Sequence, residues 1–237
     1  MNDKPLPLSR RALLLACAPG FGLGVDTARA APVVRAGTPI VLPRDFGSHP
    51  EYRTEWWYVT GWLETAETRD PFGFQITFFR SRTDVATDDH PSRFAARQLL
   101  FAHAALTDPL AGRLRHDQRI ARAGFGIAEA ATADTDVRLR GWQLAREGDS
   151  SPNAHHYRAV VDAGTQGFAF DLRLDATQPV LLQGNAGYSR KGPAPEQASH
   201  YLSEPQLAVG GTLQLEGRRL AVTGRAWLDH EWSESLM

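Results

Sequence analysis

Residues 55–63 read EWWYVTGWL, a stretch in which three tryptophans, a tyrosine and a valine crowd around one carboxylate. Aromatic and β-branched side chains suit an extended, pleated backbone. Successive strand residues point to opposite faces, so Trp56 and Trp57 cannot both enter the core of a one-sided sheet. Glu55 then shares a face with Trp57 and Val59, while Tyr58 goes with Trp56. Large rings on both faces fit a curved wall around a ligand-sized hollow.

Working outward, Phe72 to Ser81 alternates, with Phe74, Ile76 and Phe78 on one face and Gln75, Thr77 and Phe79 on the other. Leu99 to Thr107 is a third strand candidate. Weaker candidates are Val137 to Leu144, Tyr157 to Asp162, Phe168 to Asp175 and Gln206 to Glu216, and the last is Arg219 to Trp232. Glu216-Gly217 has hairpin spacing and composition; Gly164 to Gly167 separates another pair. Helical periodicity is not sustained anywhere, its best trace being Ser92 to Leu100. Thr132 to Asp136 and Glu147 to Asn153 read as polar loops. The pattern predicts an all-β fold, an antiparallel barrel or sandwich.

The 237 residues carry a net charge of −1 and a single cysteine, Cys17. Without a basic stripe to grip phosphates, nucleic acid is not an expected partner. Ser9-Arg10-Arg11 followed by an apolar run to Val25, with Ala28-Arg29-Ala30 before Ala31, reads as a twin-arginine export signal and a periplasmic address. Leu14-Leu15-Ala16-Cys17 leaves a second reading open, lipid anchoring through Cys17. Residues 31–45 form a Pro-rich extended leader, and 46–237 the folded domain.

Candidate chemistry sits in clusters. Glu55 is either an acid/base group or a carboxylate capping a strand end. Within 199–206 (SHYLSEPQ), His200, Tyr201 and Glu204 form either a proton-handling group or a polar loop in which Pro205 stops any ladder. In 227–232 (WLDHEW), alternation places His230 and Trp232 on one face, Asp229 and Glu231 on the other beside Arg225. A histidine next to an indole offers a proton donor and a ring that steadies positive charge. No metal is expected. His-x-Glu falls short of three convergent ligands, and the extra histidines, His103, His155 and His156, have no spacing that places them near. Nucleophile-elbow, phosphate-loop and dinucleotide patterns are missing, so no cofactor is expected.

Taken together, HPEYRTEWWYVTGWL (49–63), FGFQITFFRSR (72–82), LLFAHAALTD (99–108) and residues 199–232 resemble the carotenoid 1,2-hydratase (hydroxyneurosporene synthase) and AttH-like family from about Asp45 onward. The resemblance implies two tandem lipocalin-like domains, of which this chain carries the first. It implies water addition across a C=C of a hydrophobic isoprenoid or lipid, with no redox cofactor. His230 and Trp232 stand where the family has its His-x-Trp pair. The family's acidic aspartate falls in the second domain, beyond Met237, so that group is expected to be missing. On this reading His230, Asp229, Glu204 and Glu55 are the catalytic candidates. Trp232, Trp57, Tyr58, Tyr201 and His200 are the ligand-binding ones. The alternative is a non-catalytic periplasmic carrier of an apolar ligand, associated with a membrane surface or an ABC-type exporter.

Overall fold

The computed structural model describes residues 32–67, 71–85, 90–148 and 154–235. The export-signal reading, Cys17, and most of the 147–153 loop lie outside the described residues. What remains is almost entirely strand: β1 (Thr54–Glu64), β2 (Phe72–Arg82), β3 (Gln98–Asp108), β4 (Arg113–Arg122), β5 (Ala128–Ala130), β6 (Asp136–Leu139) and β7 (Trp142–Gly148) come first. They are followed by β8 (His155–Ala163), β9 (Phe168–Asp175), β10 (Leu181–Leu182), β11 (Tyr188–Arg190), β12 (Ala198–Leu215) and β13 (Arg218–Ser235).

One antiparallel sheet runs β4-β3-β2-β1-β13-β12-β9-β8-β7-β6-β5, with β10 and β11 also paired to β12. It curls into a nearly closed barrel, and arginines span the remaining gap. The Arg119 guanidinium on β4 donates to the carbonyls of Arg140 and Asp162 and lies 4.5 Å from the Trp142 ring. Arg140 reaches back to the carbonyl of Ile120 at 3.2 Å. Side chains thus satisfy edge carbonyls that a ladder would otherwise bond.

The long β12–β13 hairpin turns at Glu216 (φ 50°) and Gly217 (φ 82°), a pair of left-handed residues matching the strand twist. SHYLSEPQ is not a loop: it forms the first half of β12. Pro205 interrupts the ladder without ending it, because the register shifts between Glu204 and Leu207 and Gln206 takes φ 56°. Val137 to Leu144 is two strands, broken where Arg140 and Gly141 turn at positive φ. Ser92 to Leu100 forms no helix; β3 begins inside it, at Gln98.

The interior also differs from expectation. Trp57 points in and Trp56 out, as alternation requires, but the inward residues fill the middle. Trp57, Ile76, Phe78, Leu100, Leu144 and Leu172 belong to one packed hydrophobic cluster, and Phe170 stands 5.9 Å from Phe74 and 5.3 Å from Phe168. Rings on the inner face serve as filling, in place of the greasy hollow. Nor are residues 32–45 a detached leader. Val34 is 2% exposed, and the Asp45 and Phe46 side chains are buried. Residues 32–49 form a strap laid on the barrel: Ser48 bonds the carbonyls of Ala130 and Ala131, and Thr135 Oγ1 donates to that of Phe46 at 2.8 Å.

Candidate active site

Glu55, the first inward residue of β1 after the strap, is 0% exposed yet charged. Its neighbours explain this. The His49 Nδ1 lies 2.8 Å and the His230 Nε2 2.9 Å from Oε1, while the Arg80 Nε donates to Oε2 at 2.8 Å. The backbone N–H of His49 adds a further bond at 2.8 Å. Burial pushes the carboxyl upward, but the bonds from His230 and His49 and the Arg80 charge outweigh it, and the net direction is well below the usual range.

Arg80 does more than neutralise. Its Nη1 donates to the Tyr52 carbonyl (3.0 Å) and Gln98 Oε1 (2.8 Å), its Nη2 to the His49 carbonyl (2.8 Å). Gln98 Nε2 in turn donates to the Pro50 carbonyl at 3.1 Å. The turn 49–52 is therefore held by a buried cation from β2 and an amide from β3.

Above this cluster opens a cleft of about 410 Å³, lined by Asp45, His49, Tyr52, His200 and Trp232 among others. His49 lies flat on Trp232, centroids 3.8 Å apart. His200 sits 5.4 Å from the same indole, and Tyr52 stands edge-on to both histidines.

The three histidines are poised differently. For His49, burial opposes protonation, but Asp45 (3.5 Å from Nε2) and Glu55 prevail and raise its pKa. For His200, burial and then the His49 charge lower it. His230 is lowered by burial, only partly offset by Glu55. A neutral His230 that donates from Nε2 has a bare Nδ1, which agrees with the missing partner at that atom.

His49, Glu55 and His230 have ligand atoms within 4.8 Å of one another, a spacing that suits a metal ion. The bonding does not favour one. Both ring nitrogens already donate to one carboxylate oxygen, and the Arg80 charge occupies the other, where a cation would be repelled. The cluster is organised for holding protons.

The sequence candidates divide accordingly. Glu55, His230, Trp57, Trp232 and His200 meet at this end of the barrel. Trp57 stacks on His230 at 4.8 Å. Glu204 is elsewhere: buried, it accepts from Tyr157 Oη at 2.5 Å and lies 2.7 Å from His155 Nε2, with the Phe46 ring beside that histidine. Asp229, Tyr58 and Tyr201 are on the outer wall, because the alternation that buries His230 turns Asp229 away. Asp229 accepts from Ser203 (2.5 Å) and Trp227 Nε1 (2.6 Å), and Glu231 binds Lys191 (2.6 Å) and Ser199; Arg225 pairs with neither. His103 is exposed on the outer face, and His156 pairs with Glu147.

His49, Asp45, Arg80, Tyr52 and the His155–Tyr157 pair were not foreseen. Arg80 carried a signal, since the alternation that buries Ile76 and Phe78 must also turn Arg80 inward. Asp45 and His49 carried none, lying in an irregular segment.

Residues 33–237 match the AttH-like family. A crystal structure of an AttH-type protein from Nitrosomonas europaea is 48% identical over 86% of this chain, with a TM-score of 0.75. The chain spans 58% of that protein's length. Kievitone hydratase from Nectria haematococca, 14% identical over 86% of this chain and 52% of its own, shares the fold with a TM-score of 0.58. No curated protein matches. With a barrel of this order and a family match over nearly all described residues, the chain belongs to the AttH-like family.

Proposed function

We propose that the cleft is an acid–base site that adds water to, or removes it from, a C=C of a hydrophobic isoprenoid or lipid. The observation that carries this is one cleft in which two histidines flank Trp232. His49 is bonded to Glu55 and lies 3.5 Å from Asp45, while the His200 ring is 5.4 Å from the indole. These surroundings raise the pKa of the first and lower that of the second. Two titratable groups pushed apart in one cleft are the mark of an acid and a base. His49, held protonated by Asp45 and Glu55, supplies a proton. His200, held neutral, takes one from water as the oxygen bonds to carbon. Trp232 and Tyr52 line the cleft and supply the aromatic rings that steady the positive charge as it builds up. The two protons then re-equilibrate with solvent through the open cleft, so the reaction balances without an oxidant or reductant.

An imidazolium is a weak acid for an isolated alkene. The reading therefore favours a conjugated double bond, or the reverse elimination from an alcohol. His230, behind Glu55, positions the carboxylate and does not reach substrate. The reaction class also appears in the name of kievitone hydratase, which shares the fold.

The test is incubation with a conjugated isoprenoid diene such as myrcene, and with lycopene, in isotopically labelled water. Label in the product, lost in His49→Gln and His200→Gln, is the expected result. A ligand retained without label would instead establish the carrier reading.

A further inference from the structure

The outer wall of the barrel carries a second feature. Ile120, Phe94, Phe125 and Ile127 are 52%, 64%, 50% and 46% exposed, an unusual concentration of large apolar side chains in water. They adjoin one another: the Phe94 and Phe125 rings are parallel at 5.5 Å, and the Arg122 guanidinium lies 5.3 Å and 4.7 Å from them. Strand register continues the patch inward from the edge, since Ile120 pairs with Phe101, Phe101 with Phe79, and Phe79 with Trp56. Trp56 adjoins Glu55, so the row crosses β4, β3, β2 and β1 at the level of Glu55.

Phe125 is also held against its backbone preference. It takes φ 61° between Gly124 and Gly126, both at positive φ, a conformation unusual for a bulky residue. Strain that holds a ring out in solvent needs a compensating contact.

Arginines gather at the patch among the described residues. Arg93, Arg122 and Arg140 border it, and no carboxylate among the described residues pairs with them. On β4, Arg122 shares the outward face with Ile120, whereas Arg115 turns inward to pair with Glu216. Aromatic rings that sink into the headgroup boundary, rimmed by arginines, are complementary to an anionic lipid surface.

We propose that this face, centred on Phe94, Arg122 and Phe125, docks the protein onto an anionic bilayer, with the cleft end of the barrel beside the lipid. The test is co-sedimentation of the full chain with vesicles of phosphatidylglycerol and phosphatidylcholine, against phosphatidylcholine alone. Binding to the anionic vesicles that weakens as salt rises is expected. Arg122→Gln is expected to weaken it about fivefold, and Phe94→Ser with Phe125→Ser more strongly. Residues 1–31 are common to every variant, so their own lipid affinity cancels from the comparison. Unchanged circular dichroism establishes that these exposed substitutions leave the fold intact. Equal binding by the variants and the parent, or no binding to anionic vesicles at low salt, overturns the proposal. So does self-association that the variants abolish while vesicles are ignored, which would make the face a contact between copies.

Discussion

The imidazole of His49 is stacked on the indole of Trp232, with ring centroids 3.8 Å apart and planes 7° from parallel. The two residues are far apart in sequence, one in the strap and one near the end of β13. Their contact joins the irregular segment to the sheet at the point where the cleft opens. Protonation of His49 therefore bears on both stability and chemistry.

The acid limb of stability should trace to Glu55. In the folded protein it stays ionised at pH values where the unfolded chain, near 4.5, already binds a proton. Stability from this group is thus present above that pH and lost as pH falls through the folded value. Asp45 and His230 act with the same sign, His230 starting nearer 6.5. His49 has the opposite sign, its share being present below 6.5 and lost as pH rises through its raised value. Urea midpoints measured against pH should fall on the acid side, less steeply in Glu55→Gln. An identical slope in that variant would assign the limb to other groups.

Removing one partner of the buried Glu55–Arg80 pair strands the other. Glu55→Gln and Arg80→Met are each expected to cost about 3–5 kcal/mol at neutral pH. The double variant should cost less than the sum, because no unpaired charge remains. Denaturant unfolding of all four proteins measures the coupling, and strict additivity would contradict the pairing.

The two cleft histidines should titrate in order. Imidazole resonances followed by NMR should place His49 above 6.5 and His200 below it. His49→Gln removes one cause of the His200 depression and should shift it upward. Trp232→Phe should leave the order intact while weakening ligand binding. A His200 that does not respond to His49→Gln would separate the two rings electrostatically.

Gly47 tests the strap. A Cβ there would lie 2.1 Å from the Thr132 carbonyl oxygen, although its φ of −72° is open to any residue. Gly47→Ala should cost about 1–3 kcal/mol by overpacking. Gly210→Ala, where nothing lies within 4 Å, is the control and should unfold at nearly the parent's urea concentration. Equal effects in both would mean that the strap yields freely.

Much of the barrel was legible because strand alternation is a local property. It assigned Trp57, Val59, Ile76 and Phe78 to one face, separated His230 from Asp229, and marked the turn at Glu216-Gly217. It failed where a strand carries polar residues inward. His200 and Glu204 look like loop residues until His155, Tyr157 and the cleft supply their partners. It also suggested a hollow, since rings on both faces of β1 are equally consistent with a filled interior.

The residues alone determined that this chain makes an antiparallel all-β fold, barrel or sandwich, and which side of each main strand faces in, because period and turn chemistry act over a few neighbours. Only the tertiary structure decided that Asp45 and His49 join Glu55, Arg80 and His230. Those contacts cross from an irregular strap to three strands, and no local rule reaches that far. The protonation of each group is set by its neighbours in space, so the chemistry of the site exists only once the barrel has closed.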